Sequence, residues 1–161
     1  MMKDEMFTGD KTIRHFNIRV YGILFNATNG ILLSDEYVLD RYMTKFPGGG
    51  MKFGEGPEDC IKREAIEELG QEIEISDHFY TTGFFQKALY YADHQLISIY
   101  YKIKLKGEPA FHISDKAFDF KGKINGSQSF RWAQLEDLSD KDFTFPIDRY
   151  VLKLLRKLPS G

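Results

Sequence analysis

Cysteine is nearly missing from this chain: Cys60 is the only one in 161 residues, so no internal disulfide can form and the expected setting is a reducing one, the cytoplasm. No run of eighteen apolar residues occurs, which removes a helical membrane span. A basic excess is lacking too. Lys plus Arg total 22 against 24 Asp plus Glu, a formal net charge of −2, which argues against a nucleic-acid polymer as the main ligand and leaves room for a single nucleotide whose charge a bound metal offsets. The opening Met1-Met2-Lys3-Asp4-Glu5-Met6 carries acids with no apolar stretch behind it, so no secretory signal is expected. With 42% hydrophobic and 29% charged residues, the chain has the make-up of one ordinary domain, which at this length buries roughly 70% of its unfolded surface.

Residues 1–15 are polar and without period, and are expected to form a loose leader ahead of a single domain over residues 16–158. From Phe16 the chain alternates, then runs apolar through Tyr21-Gly22-Ile23-Leu24-Phe25, the pattern of a strand entering a buried sheet. Asn29-Gly30 before Ile31-Leu32-Leu33 signals a hairpin. Further strands are expected at Ile73–Ile75, Tyr80–Phe85, Leu96–Leu105 and Phe130–Trp132, with an irregular surface loop over Lys106–Gln128. Pro146 opens a closing helix whose Ile147, Tyr150, Val151, Leu154, Leu155 and Leu158 follow helical spacing. Strands, a helix, more strands and a last helix predict α+β or α/β packing, with helices against a mixed sheet.

Five of fourteen glycines crowd between Gly48 and Gly56, which reads as a long loop able to approach phosphate or metal with its backbone. Pro57 then suits a first helical position, Glu58 and Asp59 a first turn and Gly70 the residue past the end, so a helix is expected over Pro57–Leu69. At 3.6 residues per turn, Glu64, Glu67 and Glu68 share an arc of roughly 100°, beside the apolar stripe of Ile61, Ala65 and Leu69. Like charges at these spacings repel, and Glu67 and Glu68 also stand at the negative end of the helix dipole. A divalent cation such as Mg²⁺ would compensate them. The alternative is a solvated acidic face balanced by Lys62 and Arg63.

The spacing of Gly49, Glu55, Arg63-Glu64, Ala65, Glu67-Glu68 and Gly70 resembles the Nudix box, the signature of the Nudix hydrolases. The seven of these positions other than Ala65 would coincide by chance in about one chain in 10⁶. Ala65 stands where a larger aliphatic is usual, and Gln71 where an aliphatic normally closes the box; both are packing positions. Phe46-Pro47-Gly48-Gly49, Arg131-Trp132 and Phe145-Pro146 also look like this family, so the resemblance covers about Phe16 to Leu158.

The resemblance implies an α/β/α sandwich with a mixed sheet, and Mg²⁺-dependent hydrolysis, with Mn²⁺ as a substitute, of a nucleoside diphosphate linked to another group by in-line attack of water. It implies Glu67, Glu68 and Glu64 as metal ligands with the Gly49 carbonyl, Glu64 also as the base by default, Arg63 as the residue orienting the glutamates, and Glu55 as support for Arg63 or a water. The loop acid that this family often places a few residues before the tryptophan is missing, since Asn125–Phe130 holds no carboxylate; Asp115 and Asp119 are the nearby acids. Tyr90 and Tyr91, next to Ala92-Asp93-His94, are the candidates for substrate contact, with a place in the core as the alternative. Cys60 reads as a buried thiol and His94 as a surface histidine, with substrate contact as the alternative. Partners expected are a small nucleotide or diphosphate, no nucleic-acid polymer and no membrane, with a homodimer left open. A catalytically silent sensor of a nucleotide metabolite is the competing function; such modules usually lose box glutamates that are present here.

Overall fold

The computed structural model describes residues 9–159; most of the expected leader, residues 1–8, lies outside them. Among the described residues are seven strands, two α-helices and one short 3-10 helix. The strands are β1 (His15–Leu24), β2 (Gly30–Val38), β3 (Arg41–Lys45), β4 (Gly48–Gly50), β5 (Ile73–Thr81), β6 (His94–Leu105) and β7 (Ser127–Gln134). The helices are α1 (Pro57–Leu69) and α2 (Pro146–Arg156), with the 3-10 turn at Asp140–Asp142. One sheet has the order β4-β1-β6-β5 and the other β3-β2-β7. Only β1 and β6 pair in parallel, so the first sheet is mixed.

Alternation along β1 sorts its side chains to two faces. Val20 and Leu24 join Ile73, Ile103 and the buried stripe Cys60, Ile61, Ala65 and Leu69 of α1. Tyr21 and Ile23 join Tyr100, Phe46 and the α2 residues Ile147, Val151, Leu152 and Leu155. A helix therefore covers each face, the α/β/α layering expected. Helix α1 runs over the residues its sequence signals mark, with Pro57 in the first turn and Gly70 as a left-handed cap (φ 65°) whose N–H reaches the Ile66 carbonyl at 3.0 Å.

Several local expectations change in the fold. The Asn29-Gly30 turn forms, held by Asn26 Oδ1 accepting from the Gly30 N–H at 2.8 Å, but one bridge, Phe25 to Ile31, is all that joins the arms before β1 and β2 part into different sheets. Within the glycine run, Gly48–Gly50 is a strand, antiparallel to Arg19–Tyr21. Gly48 has φ 143° and lies against the Val20 carbonyl, where no side chain fits. Strand β5 is continuous from Ile73 to Thr81, and Phe84-Phe85 lies beyond it as half-exposed loop, because β6 pairs with β5 only as far as Thr81. Gln71 is buried, and three hydrogen bonds replace apolar packing there: its amide donates to the Lys106 and Glu108 carbonyls at 3.1 and 2.9 Å and accepts from the Ala110 N–H at 2.9 Å. These bonds tie down the start of the long loop that leads to β7.

Candidate active site

Seating the apolar stripe of α1 on the sheet turns Glu64 and Glu68 toward β4 and leaves Glu67 at the rim. Glu64 packs so closely that a Cβ on Gly49 would stand 2.5 Å from its Oε1, so any other residue there would displace the Glu64 carboxylate. Glu68 accepts from the Gly48 N–H at 3.1 Å. Glu67 is half exposed and meets Lys52 at 3.6 Å. Arg63 ties the set together: it donates to Glu55 at 2.6 and 2.9 Å, to Glu64 at 2.8 Å, to Glu67 at 3.1 Å and to the Gly50 carbonyl at 3.0 Å. Hydrogen bonds from Arg63 and the Lys52 backbone hold the Glu55 carboxyl down at about 2. The structure thus brings Gly49, Glu55, Arg63, Glu64, Glu67 and Glu68 into one cluster.

A second layer of charge stands under this cluster. Lys45, at the end of β3, is buried with Nζ 2.8 Å from the Gly48 carbonyl, 3.0 Å from Glu36 Oε1 and 3.8 Å from Glu68 Oε1. Burial works against its charge, yet Glu68 and Glu36 hold its pKa above the ordinary value. Glu68 is pushed the other way: burial, with Glu36 and Glu64 nearby, raises its carboxyl to about 7 against the pull of Lys45. The amide of Gln128, from the segment where a family acid was missing, donates to Glu36 Oε1 at 2.8 Å and Ser34 Oγ at 2.9 Å. An amide cannot serve as a base, so that position holds the carboxylates without adding one. Asp119 instead pairs with Lys116 at 3.6 Å and its backbone N–H meets Ser129.

Beside Lys45 opens a cavity of about 180 Å³ lined by Arg19, Tyr21, Glu36, Tyr90, Tyr91 and Ser98 among others. Tyr90 and Tyr91 therefore stand at a hollow next to the carboxylates, and Arg41 lies over the Tyr90 ring at 4.5 Å. A larger cavity of about 510 Å³ near the end of α2 is lined by none of the site carboxylates. Cys60 is fully buried, and burial pushes its thiol up to about 12. His94 is engaged with Asp93 at 2.7 Å and does not line the cavity.

Lys45, Glu36, Arg19, Ser98 and Gln128 were not singled out from sequence. One signal was present: Asn17, Arg19 and Tyr21 share a strand face that becomes core at Ile23, so a charge sits at the edge of an apolar surface.

Among the described residues, no three His, Cys, Asp or Glu side chains converge as a ready metal cage; Arg63 and Lys45 neutralise the carboxylates in ion pairs. The donor set nevertheless suits a hard divalent cation. Glu64 and Glu68 are oxygen donors against a glycine backbone, and Glu68 lacks enough positive charge to keep its carboxyl in the usual range. No helix among the described residues is long and apolar enough to cross a membrane.

The sequence matches the model of the NUDIX domain over residues 15–155. Among solved structures, the fold is similar to a MutT NUDIX hydrolase from Burkholderia pseudomallei at 18% identity and a TM-score of 0.65, covering 87% of this chain and 98% of that one. The Escherichia coli ORF135 protein matches at 18% identity and a TM-score of 0.60, over 95% of this chain and 99% of that one. An ADP-ribose pyrophosphatase from Streptococcus suis matches at 16% identity and a TM-score of 0.54, over 88% and 92%. No curated protein matches the sequence.

Proposed function

The chain belongs to the NUDIX domain family, whose enzymes are divalent-metal pyrophosphohydrolases of phosphoric anhydrides, and from that premise we propose that it hydrolyses a nucleoside diphosphate linked to another moiety, with Mg²⁺. The observation that carries this reading is the carboxylate edge of α1, packed on Gly48-Gly49 and braced by one arginine. A sensor has no need to hold several carboxylates together against their repulsion.

Glu64, Glu67, Glu68 and the Gly49 carbonyl are the groups that would hold Mg²⁺, or Mn²⁺ in its place. When bound, the ion offsets charge on the phosphate oxygens. Water attacks phosphorus in line with the leaving oxygen. Glu64 takes the proton of that water: Oε1 is fixed by Arg63 at 2.8 Å, while Oε2 makes no hydrogen bond among the described residues. Arg63 does not touch substrate in this scheme; it positions Glu64 and Glu67 and is itself held by Glu55. Tyr90 and Tyr91 contact the moiety lying over the cavity.

Chromatographic separation of the nucleotide products tests the reading, with nucleoside triphosphates, ADP-ribose, dinucleoside polyphosphates and nucleotide sugars, with Mg²⁺ or chelator. Chelator-sensitive turnover of one class is the expected result. Absence of turnover together with a nucleotide-induced rise in Tm would replace the hydrolase with a sensor.

A further inference from the structure

The cavity beside the carboxylates is rich in donors that have little to donate to. The parallel register of β1 and β6 sets Arg19 against Ser98 and Tyr21 against Tyr100, so these side chains leave the sheet on one face. Of the five N–H groups on its guanidinium, Arg19 uses one among the described residues, Nε–H to the Tyr21 hydroxyl at 2.7 Å, and it forms no ion pair. Ser98 is 1% exposed, and its Oγ makes no hydrogen bond among the described residues. Both line the cavity.

Glu36 Oε1 and the other cation there are already engaged. Glu36 Oε1 accepts from Lys45, Ser34 and Gln128 at 3.0, 3.0 and 2.8 Å. Lys45 faces the Gly48 carbonyl, Glu36 and Glu68, which matches its three donors. The charged group left for an occupant is the Arg19 fork, with the Ser98 hydroxyl and the polar ends of Asn17, Tyr90 and Tyr91 around it, and the complement of that fork is an acceptor-rich anion. At about 180 Å³ the hollow is smaller than the roughly 300–1,000 Å³ of pockets that enclose a whole drug-sized ligand, so it takes one group of a substrate.

We propose that Arg19, together with Ser98, is the specificity-determining seat for an anionic group, a phosphate or a carboxylate, that the substrate carries beyond the anhydride that is cleaved. The word substrate rests on the hydrolase reading; the seat itself is a statement about binding. A guanidinium accepts phosphate or carboxylate through two parallel N–H···O bonds. A neutral end group would strip water from the guanidinium without supplying a counter-charge. Substrates ending in an acid, such as nucleoside triphosphates or conjugates of a carboxylate-bearing moiety, are therefore favoured over neutral nucleotide sugars.

The test pairs Arg19→Met with the wild type in two arms. In the first, Tm is followed in chelator with inorganic tripolyphosphate or with citrate, which separates a phosphate from a carboxylate source. Either anion should raise the wild-type Tm, and Arg19→Met should lose that rise. In the second, kcat/KM for a nucleoside triphosphate is divided by that for a nucleoside diphosphate sugar of the same base. Arg19→Met should lower this ratio about ten- to a hundredfold, through KM more than kcat, the range expected for a lost hydrogen bond to a charged group. An unchanged Tm rise or an unchanged ratio overturns the seat, and hydrolysis that persists then leaves the hydrolase reading standing. An Arg19-dependent Tm rise without any turnover does the opposite: the seat stands and the hydrolase reading falls. Should Arg19→Met not fold, Arg19→Lys and Ser98→Ala decide by the same ratio, because the lysine keeps the charge and loses the fork.

Discussion

Two arginines near the carboxylates live in opposite circumstances. Arg63, on α1, spends its donors on Glu55, Glu64, Glu67 and the Gly50 carbonyl. Arg19, on the face of β1 turned away from α1, makes one hydrogen bond, to Tyr21. The contrast extends to their surroundings. Around Arg63 the carboxylates Glu55, Glu64 and Glu67 share it as a partner, whereas Ser98 Oγ and Asp148 Oδ2, both on the α2 side of the sheet, are buried without one among the described residues. A saturated region is a brace whose value is rigidity; an unsaturated one is poised for something that arrives later. Protein interiors rarely leave buried polar atoms unpaired, so the two on this side carry information; a third, Ser114 Oγ, lies in the loop before β7, where the Ser114 N–H donates to the Phe130 carbonyl.

The largest effect expected falls on the saturated side. Glu68→Gln keeps shape and removes a charge, and under the proposed mechanism it should lower kcat by about 10³-fold or more, since a catalytic metal supplies several kcal/mol of charge stabilisation. Tm should stay level or rise, because the carboxyl it replaces is already pushed up to about 7 by burial. Glu64→Gln should lower kcat by about 10²–10⁴-fold with KM little changed, the signature of a lost base. Steady-state kinetics at saturating Mg²⁺ check both. Full activity in Glu68→Gln would remove the carboxylate edge as the centre of the chemistry.

A matched pair of substitutions sharpens the comparison directly. Arg63→Lys leaves a point charge that cannot reach four partners at once, so kcat should fall about 10–100-fold, the usual cost of disturbing the groups that orient a metal's ligands. Tm should fall with it, since Glu55, Glu64 and Glu67 lose their common partner. Arg19→Lys should leave Tm within a degree or two of wild type, about the effect of a substitution that breaks no network. Equal losses of Tm in the two variants would show that Arg19 is as structural as Arg63 and would erase the distinction. Thermal unfolding in chelator is the readout.

How far the sequence already displayed these regions follows the range of the forces involved. Helix α1 and its glutamates were legible because their signals are local: Pro57, Gly70 and a 3.6-residue period lie within the element itself. Helix α2 was read the same way, from Pro146 and its apolar spacing. Strands β3 and β4 were not legible. Arg41–Lys45 is polar for a strand, and Gly48–Gly50 has no side chains from which to read alternation; both exist because β2 and β1 pair with them. Lys45 and Glu36 carried no sequence signal; Lys45 is buried with Nζ 3.0 Å from the half-buried Glu36, a fact that depends on bringing β2, β3 and α1 together. The seat around Arg19 needs β6 beside β1 before it exists at all.

An effect on stability alone, with no part in turnover, is expected at Asp148, the other unsatisfied group on the α2 side. Pro146 starts α2 and places Asp148 in its first turn, where the helix dipole favours a negative charge. The side chain turns inward, however, and is fully buried; Oδ1 accepts from the Tyr100 hydroxyl at 2.6 Å while Oδ2 has no partner among the described residues. Burial outweighs the hydrogen bond and the more distant Lys45 and Arg19, and it pushes the carboxyl up to about 7. The folded state therefore holds a proton that the unfolded chain, with an ordinary aspartate near 3.9, gives up earlier. Stability linked to this proton is complete below about pH 4 and is lost as pH rises through 7. Asp148→Asn cannot titrate, so its Tm should gain on the wild type between pH 5 and pH 8 by at least about 4 °C, the size that about 1–2 kcal/mol gives in a domain of this length. A Tm difference between the two proteins that stays constant over that range would mean the carboxyl does not change charge there. In that case Asp148 would not tell the two regions apart, and Arg19 and Ser98 would remain to do so.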